Sequence, residues 1–473
     1  MTLGLALLLL AAIQGLAVVA ISPISVKGTK LYDDEGDQFF IKGVVYQPDG
    51  VSTVSDPLAD TNQCQLDAGF MKDAGVNTVR VYTVDASLNH DGCMQAFATQ
   101  GIYAWIGLTE PLHALDRADP EWTEELFTHM TKIVDTFAPY NNTLALEVSN
   151  ELINDNKTSG VAPYVKAAAR DMKAFRNARG YRKIPMAYSA ADVVVMQQAT
   201  ADYLACGDEA DSIDMYGLNA YSWCGNSSYS EAGYDKLYER LQPLNIPAVF
   251  TEVGCNIIQP RTFDEVSVIL GSVFPNAFSG AIVYEWAQEE NDYGLVEYPS
   301  SSTGGFPDPL PDYTNLQKVF STAKPVNTPR ADYTPSNTPP ACPTTDDNWT
   351  VDGDATLPTI AGLNIKTVSA RTTYIDAAAA ETTGAETTAT TGTSAGVVAN
   401  STSSSDESGG GAPSNDNQGL STGAIAGIAI GGALVGILAI VAGLFIFRRR
   451  KAHVPQEKMG RHRPRTRPTI PTI

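Results

Sequence analysis

The chain has 473 residues, 43% of them hydrophobic, and its formal net charge at pH 7 is −21. That length exceeds a typical single domain of about 100–200 residues. The acidic balance argues against nucleic acid or anionic lipid as a partner and fits a neutral substrate, although simple solubility explains the charge equally well.

An apolar leader opens the chain. Residues 3–20 are almost entirely Leu, Ala and Val and end in small residues. This pattern is typical of a secretory signal peptide, so we predict one over residues 1–20, with cleavage after Ala20 or after Ala17. A buried core helix is the alternative.

Apolar runs of strand length alternate with helical patterns between residues 25 and 320. The runs cover residues 39–46, 78–84, 102–108, 143–148, 184–188, 215–221, 248–252 and 281–286. Each is joined to the next by enough chain for a helix, such as 122–137 or 161–179, which favours an α/β fold, a closed parallel (β/α)8 TIM barrel. A doubly wound sheet is the alternative, but no Gly-x-Gly-x-x-Gly turn follows the first run. Residues 24–36 indicate a hairpin that closes the barrel floor.

The barrel is predicted to occupy residues 21–325, and further segments follow it. Residues 326–368 are rich in Pro and Thr and contain Cys342, which is expected to tie them to the barrel. Residues 369–423 are rich in Ser, Thr and Gly. Such a composition cannot bury a core and predicts a flexible, O-glycosylated stalk.

The C-terminal part predicts membrane attachment. Residues 424–447 carry no charge and are long enough to cross a hydrocarbon layer of about 30 Å. The basic segment that follows, residues 448–473, is predicted to lie in the cytosol by the positive-inside rule. A glycolipid-anchor signal, which also contains an apolar stretch, is the alternative.

Six cysteines in a secreted chain predict three disulfides, and sequence alone leaves fifteen pairings open. They are Cys64, Cys93, Cys206, Cys224, Cys255 and Cys342. Sequons for N-glycosylation, which agree with secretion, stand at Asn141, Asn156, Asn226, Asn348 and Asn400. No Cys-x-x-Cys pair is present and the five histidines are scattered, so we expect no metal.

Two glutamates about a hundred residues apart carry the chemical prediction. Glu151 follows Asn150 after the fourth run, and Glu252 ends the seventh. In a parallel barrel both carboxyl groups are expected at the same mouth. Such a pair suits a retaining glycosidase, in which one carboxyl is acid and then base while the other attacks the anomeric carbon. Either Glu alone is more often a solvated loop residue.

Neighbouring strand ends carry further candidates. Arg80 and Tyr82 end the second run, where the guanidinium is expected to orient the carboxylate of Glu252. Aromatic candidates for the substrate site stand at the sixth and eighth runs: Tyr221, Tyr284, Trp286 and Tyr293. Each aromatic alone is more often core filling.

A series of short motifs recurs in a known order over roughly residues 24–320. The segments are residues 40–47, 56–60, 79–82, 90–94, 150–151, 165–168, 182–185, 223–225, 252–256 and 293–296. In them the chain resembles the fungal cell-wall β-1,3-glucanosyltransferases of glycoside hydrolase family 72. The resemblance implies that Glu151 is the acid/base and Glu252 the nucleophile. It implies cleavage of β-1,3-glucan, transfer of the enzyme-bound fragment to another glucan chain, and no metal or organic cofactor.

The resemblance also implies a substrate site and a disulfide pattern. Gln47, Tyr82, Asn150, Tyr221 and Tyr284 would line the donor site, to which we add Tyr293 and Arg80. The implied disulfides are Cys64–Cys93, Cys206–Cys342 and Cys224–Cys255. The expected partners are donor and acceptor β-1,3-glucan, with no nucleic acid. We expect a monomer tethered at the plasma membrane with its catalytic domain facing the cell wall.

Some positions depart from the family pattern. Gly107 stands where an Asp is usual, Ser149 replaces a Gly, Val253 replaces a Tyr, and residues 285–286 differ. Loss of the Asp is expected to weaken substrate binding or to alter the balance between transfer and hydrolysis, and the family's cysteine-rich C-terminal module is not found. An endo-β-1,3-glucanase is the nearest alternative. A catalytically weak glucan-binding wall sensor is the alternative from another class.

Overall fold

The computed structural model describes residues 21–48, 50, 55–299 and 305–371. The predicted signal peptide, most of the stalk, the apolar span and the basic tail lie outside the described residues. In the part of the chain that is described, no helix combines the length and the apolar character needed to span a bilayer.

A small antiparallel sheet precedes the barrel and closes one end of it. Its strands are β1 (Ser25–Lys27), β2 (Lys30–Tyr32) and β3 (Gln38–Phe39). Ile24 and Leu31 pack among the side chains inside the barrel, and the Tyr103 hydroxyl donates to the Ser22 carbonyl at 2.7 Å. The floor element predicted from sequence is present, but it has three strands and two turns instead of one hairpin.

Eight parallel strands form a closed barrel, as predicted. They are β4 (Ile41–Val45), β5 (Thr78–Val81), β6 (Tyr103–Gly107), β7 (Thr143–Asn150), β8 (Met186–Ala191), β9 (Met215–Asn219), β10 (Ala248–Val253) and β11 (Phe278–Val283). Neighbours pair in chain order, and the circle closes between β11 and β4, where Gly280 is paired with Ile41. The first strand begins later than predicted because Phe39 pairs with Leu31 in the floor sheet.

A helix follows each barrel strand along the chain, so the loops from strand to helix meet at one mouth. The helices are α1 (Thr61–Ala74), α2 (Asp91–Thr99), α3 (Glu124–Phe137), α4 (Ala162–Ala178), α5 (Gln197–Ala205), α6 (Tyr234–Leu241), α7 (Asp264–Ile269) and α8 (Pro311–Thr322). Short 3₁₀ helices cover Ser159–Val161, Phe274–Asn276 and Ile365–Thr367. Between β11 and α8, strands β12 (Val296–Glu297) and β13 (Asp308–Pro309) pair antiparallel.

Local chemistry sets several of these helix ends. The Asp60 carboxylate accepts hydrogen bonds from the first amides of α1, which otherwise lack partners inside the helix. The same helix stops at Gly75, whose φ of +83° suits glycine at a C-terminal cap. At α3 the Thr123 hydroxyl accepts from the Leu126 amide. This hydrogen bond fixes the residue at which the loop from β6 ends and α3 begins.

The segment after α8 packs back against the outer helices, largely as irregular chain. The Cys206–Cys342 disulfide ties it to the end of α5. Trp349 in this segment is fully buried and packs on Tyr203, with ring centroids 5.4 Å apart. The tie through Cys342 that the sequence predicts is therefore present.

The remaining two disulfides also join the partners that the family resemblance implies. Cys64–Cys93 connects α1 to α2, and Cys224–Cys255 connects the loops that follow β9 and β10. Each pair has its Cα atoms 5.1 Å apart. The second of these bonds braces the chain directly after Glu252.

Candidate active site

The two predicted carboxyl groups stand at the mouth, where β7 and β10 end. Glu252 is the fifth residue of β10, and it is 8% exposed. Glu151 follows the last residue of β7, is partly buried, and has a φ of +51°. A positive φ is uncommon outside glycine, and here it turns the chain away from the strand while the Glu151 amide still donates to the Ser189 carbonyl at 2.8 Å.

Three donors hold the carboxylate of Glu252. Oε1 accepts from the Tyr82 hydroxyl at 2.6 Å and from Nη1 of Arg80 at 2.8 Å, and Oε2 accepts from the Tyr221 hydroxyl at 2.8 Å. An ionised carboxylate has only acceptor sites, so this donor set matches its charged form. Burial, and then the charge of Glu252, raise the pKa of both phenols well above 10.0. Both phenols therefore remain protonated donors.

Glu151 lies in a different environment from Glu252. Burial, followed by the negative charge of Glu252, raises the pKa of the Glu151 carboxyl above its ordinary 4.5. Nδ2 of Asn219 donates to Oε1 of Glu151 at 2.8 Å and opposes that shift. Two neighbouring carboxyls whose environments differ in this way are the arrangement that separates an acid from a nucleophile.

Arg80 connects the two halves of the mouth. Its guanidinium, almost fully buried, pairs with Glu147 through Nε at 3.0 Å and Nη2 at 2.7 Å, and with Glu252 through Nη1. Nη2 also donates to Oδ1 of Asn150 at 3.0 Å. The expectation that Arg80 orients Glu252 therefore matches the geometry, and the planar fork of arginine allows both contacts at once.

Glu147 belongs to this network although its sequence pattern was not interpreted as a site residue. The side chain of Glu147 is 4% exposed and accepts from Trp105 Nε1 at 2.5 Å and Ser189 Oγ at 2.9 Å besides Arg80. The available signal was a lone acid inside the apolar run of β7, because a charge in a buried strand requires a partner.

Asn219 was also missed as a member of the site. Besides Glu151, its Nδ2 donates to Oδ1 of Asn150 at 3.1 Å, and its own Oδ1 accepts from Thr251 Oγ1 at 2.8 Å. Both hydrogen bonds described for Asn150 therefore use the amide oxygen, which turns Nδ2 of Asn150 away from Arg80. The only sequence signal was its position at the end of a barrel strand.

Gly107 lies opposite Glu147 in the register of β6 and β7. A Cβ atom at residue 107 would lie 2.2 Å from the carbonyl oxygen of Tyr82. The backbone at the end of β6 therefore approaches Tyr82 too closely for any side chain at residue 107. One carboxylate beside Arg80 belongs to Glu147 on the neighbouring strand.

Three tyrosines form an aromatic cluster beside Glu252. The Tyr284 ring lies 5.2 Å from that of Tyr293 and 6.3 Å from that of Tyr221, and Tyr221 and Tyr293 are 5.8 Å apart. All three are partly exposed. Their edge-to-face contacts leave ring surface for the apolar face of a sugar.

Two predicted contributors have other surroundings. Trp286, proposed as a face for sugar, is fully buried, and its Nε1 donates to the Tyr298 hydroxyl at 3.0 Å. Gln47 is 2% exposed; its Nε2 donates to the Ser55 carbonyl at 3.0 Å and its Oε1 accepts from the Thr83 amide at 3.4 Å. Trp286 is therefore a core residue. Gln47 connects the loops after β4 and β5, and its place in a donor site stays a prediction.

The sequons differ in exposure. Asn156, Asn226 and Asn348 are exposed and Asn141 is partly buried, whereas Asn400 lies outside the described residues. Glycosylation at these positions stays a prediction.

Comparison with sequence families matches residues 14–324 to the family described as Glucanosyltransferase, glycoside hydrolase family 72. The 1,3-beta-glucanosyltransferase gas1 of Schizosaccharomyces pombe is 38% identical over 67% of this chain and 59% of its own length. GAS5 of Saccharomyces cerevisiae is 41% identical over 68% and 66%, and gel2 of Aspergillus fumigatus is 43% identical over 64% and 65%. The alignments thus span about three-fifths to two-thirds of these relatives.

Solved structures of Saccharomyces cerevisiae Gas2p are similar in fold. A mutant of Gas2p in complex with laminaritetraose and laminaripentaose superposes with a TM-score of 0.66 at 35% identity, covering 72% of this chain and 75% of that one. Gas2p in complex with laminaritriose and laminaritetraose gives 0.68 at 36% identity, covering 72% and 78%.

Proposed function

This chain belongs to the Glucanosyltransferase family, glycoside hydrolase family 72, and on that premise we propose that it is a retaining β-1,3-glucanosyltransferase that elongates fungal cell-wall glucan. Glu151 would be the acid/base and Glu252 the nucleophile. The observation that carries the proposal is the asymmetry of the pair. Glu252 is held by three donors, while burial and the charge of Glu252 raise the pKa of Glu151.

In the first step, Glu151 donates its proton to the glycosidic oxygen of a β-1,3 bond, and a carboxylate oxygen of Glu252 attacks the anomeric carbon. The bond from carbon to the leaving oxygen breaks, and the donor fragment remains as an ester of Glu252. Arg80, Tyr82 and Tyr221 fix the attacking carboxylate before substrate arrives. This preorganisation lowers the cost of reaching the reactive geometry.

In the second step, Glu151 is a carboxylate and accepts the proton of an acceptor hydroxyl, whose oxygen attacks the same carbon and releases Glu252. A new β-1,3 bond forms with the original configuration, because two inversions have occurred. Asn150 supports both steps, since its Nδ2 is turned away from Arg80 and is free to reach a sugar hydroxyl in a bound donor.

Transfer instead of hydrolysis requires a bound acceptor to outcompete water. The cluster of Tyr221, Tyr284 and Tyr293 supports carbohydrate binding next to Glu252. The test is incubation of the protein with a reduced laminari-oligosaccharide together with an unreduced donor. Products longer than either substrate support transfer, whereas a mixture of shorter products alone contradicts it and indicates an endo-β-1,3-glucanase.

Substitution separates catalysis from glucan binding without turnover. We expect Glu151→Gln and Glu252→Gln each to lower turnover by about 10²-fold or more, with little change in the unfolding temperature. Glu265→Gln is the matched control, because Glu265 is a buried glutamate on α7 that is not among the hydrogen-bond partners described for Glu151 and Glu252. Full activity in either mouth variant contradicts the assignment of catalysis to that glutamate, whereas glucan binding without turnover in the wild type would leave the wall-sensor hypothesis.

We also propose that the protein acts as a monomer at the cell surface. The segment 424–447 would span the plasma membrane, with the catalytic domain facing the wall and the basic tail in the cytosol. Release of the protein by a phosphatidylinositol-specific phospholipase would contradict this and indicate a glycolipid anchor. Retention after that treatment, with extraction by detergent, supports a retained span.

A further inference from the structure

A second cluster of chemically active side chains lies beside the loop that joins β6 to α3. Glu110 and His113 belong to this loop and His129 to the second turn of α3. One ligand-type atom from each lies within 4.8 Å of the other two. None of these groups takes part in the chemistry proposed for Glu151 and Glu252.

The backbone of the loop holds Glu110 and His113 next to each other. Glu110 and His113 form a short antiparallel bridge, in which the His113 amide donates to the Glu110 carbonyl at 2.9 Å. Oε1 of Glu110 contacts Nδ1 of His113, while Oε2 accepts from the Leu112 amide at 2.8 Å. The carboxylate is therefore oriented by its own backbone.

The two imidazoles face each other. Their rings are stacked with centroids 4.3 Å apart and an interplanar angle of 5°. Nε2 of His129 is buried and has no hydrogen-bond partner among the described residues. A buried polar atom without a hydrogen-bond partner lowers the stability of the folded state. A metal ion bound to this nitrogen would remove that destabilisation.

Electrostatics favour a cation at this position. The surrounding side chains include Glu124, Glu125 and Asp85, opposed by Lys132. An adjoining surface cleft of about 510 Å³, lined in part by both histidines, gives access from solvent.

We propose that Glu110, His113 and His129 form a binding site for a divalent transition-metal ion of the zinc class. Two imidazoles and one carboxylate form a donor set that suits zinc and its neighbours, whereas magnesium and calcium prefer oxygen alone. A water molecule would complete a tetrahedron. In such a site with bonds of about 2.1 Å, donor atoms lie roughly 3.4 Å apart. Because a metal ion lies in the plane of each imidazole that binds it, the two parallel rings would rotate out of their stack for both to bind one ion.

The ion would fasten the loop between β6 and α3 to the helix that follows it. The same loop carries Arg117; burial and the charge of Glu252 raise the pKa of Glu151, and the positive charge of Arg117 is among the causes that oppose this rise. Metal binding would therefore order a segment whose charge acts on the catalytic mouth. The inference does not depend on the proposed transferase activity, because its test measures binding and stability.

The spacing of Glu110, His113 and His129 in the sequence does not predict this cluster. His113 and His129 are on different elements, and the other described histidine, His90, lies at the start of α2 in a buried pair with Asp56 at 2.7 Å. The expectation of no metal rested on scattered histidines, and the fold brings two of them into ring contact.

The test uses the full chain without an affinity tag, titrated with Zn²⁺ alone and, in parallel, with Mg²⁺ alone. We expect one tight zinc site, no comparable magnesium binding and a higher unfolding temperature with zinc. His113→Gln, His129→Gln and Glu110→Gln should each weaken binding by about tenfold or more. Glu125→Gln is the control, because Glu125 is exposed and lies 3.8 Å from His113 outside the three-residue cluster.

Unchanged zinc affinity in all three variants would overturn the proposal. Loss of binding in Glu125→Gln but not in Glu110→Gln would overturn the donor set. Because a variant can fail to fold, Co²⁺ is added to the wild-type chain as a second measurement. Intense visible bands of tetrahedral Co²⁺ support the site, and their absence together with an unchanged unfolding temperature contradicts it.

Discussion

Nη1 of Arg80 lies 2.8 Å from Oε1 of Glu252, and both side chains are largely withdrawn from water. The same guanidinium is held from the opposite side by Glu147. One cation thus serves two carboxylates, only one of which is proposed to react. The position of Glu252 therefore depends on a residue on β7, at the other side of the mouth.

Removal of Glu147 should destabilise the barrel and disturb Glu252. In Glu147→Ala, Arg80 loses its bidentate partner in a buried site, and breaking such a pair costs about 3–5 kcal/mol. Activity at a temperature where the variant is folded should also fall. Urea unfolding and initial rates measure the two effects.

The control for this prediction is Glu239→Ala, which breaks an exposed pair with Lys236 at 2.9 Å. Exposed pairs contribute little, so its unfolding curve should coincide with that of the wild type. Equal curves for Glu147→Ala and the wild type would show that Arg80 does not need this partner.

The raised pKa of Glu151 depends partly on the charge of Glu252. Substitution of Glu252 by Gln removes that charge, so the pKa of Glu151 should fall while the contribution of burial remains. Carbon-13 NMR of labelled glutamate measures the titration, and the double variant with Glu151→Gln identifies the signal. An unchanged or higher pKa in Glu252→Gln would show that the two carboxyls do not interact.

The raised pKa also sets the pH range of activity. The proposed first step needs protonated Glu151, so the rate should fall as pH rises through its pKa. Asn219→Ala removes a hydrogen bond that lowers this pKa. The alkaline limb of kcat/KM should therefore move to higher pH in this variant, and a shift to lower pH would contradict the role given to Asn219.

Gly107→Ala should destabilise the protein, because the new Cβ would meet the Tyr82 carbonyl at 2.2 Å. Overpacking of this kind costs about 1–3 kcal/mol. Movement of Tyr82 should also weaken its hydrogen bond to Glu252 and lower turnover. The control is Gly69→Ala in α1, where a new Cβ would meet no neighbouring atom. Because glycine lowers the stability of a helix interior, this substitution should stabilise the protein by about 0.5–1 kcal/mol.

Glu285 should make stability depend on pH. Burial, with the charge of Glu289 as a further cause, raises its pKa from 4.5 to about 8. A carboxyl whose pKa is higher in the folded state stabilises it below pH 4.5, and this contribution is lost as pH rises from 4.5 to about 8. In Glu285→Gln the fall in unfolding temperature between pH 5 and pH 8.5 should be smaller than in the wild type, and an identical fall would contradict the prediction.

The sequence predicted the barrel because each strand is an apolar run followed by enough chain for a helix. It predicted Glu151 and Glu252 because strand ends in a parallel barrel share one mouth. It did not predict that Glu147 pairs with Arg80, because whether a side chain within a strand points into the barrel depends on the register between strands. Trp286 was misassigned because an aromatic residue after a strand has no sequence signal for burial.

The Cys206–Cys342 disulfide spans 136 residues, and the exposed Ile257 lies inside that interval. Exposed loop tips are preferred sites for proteases. After a cut beside Ile257, Glu151 and Glu252 would remain on one piece and Tyr284 on the other. The two pieces would stay covalently joined and migrate as one species until a reductant is added.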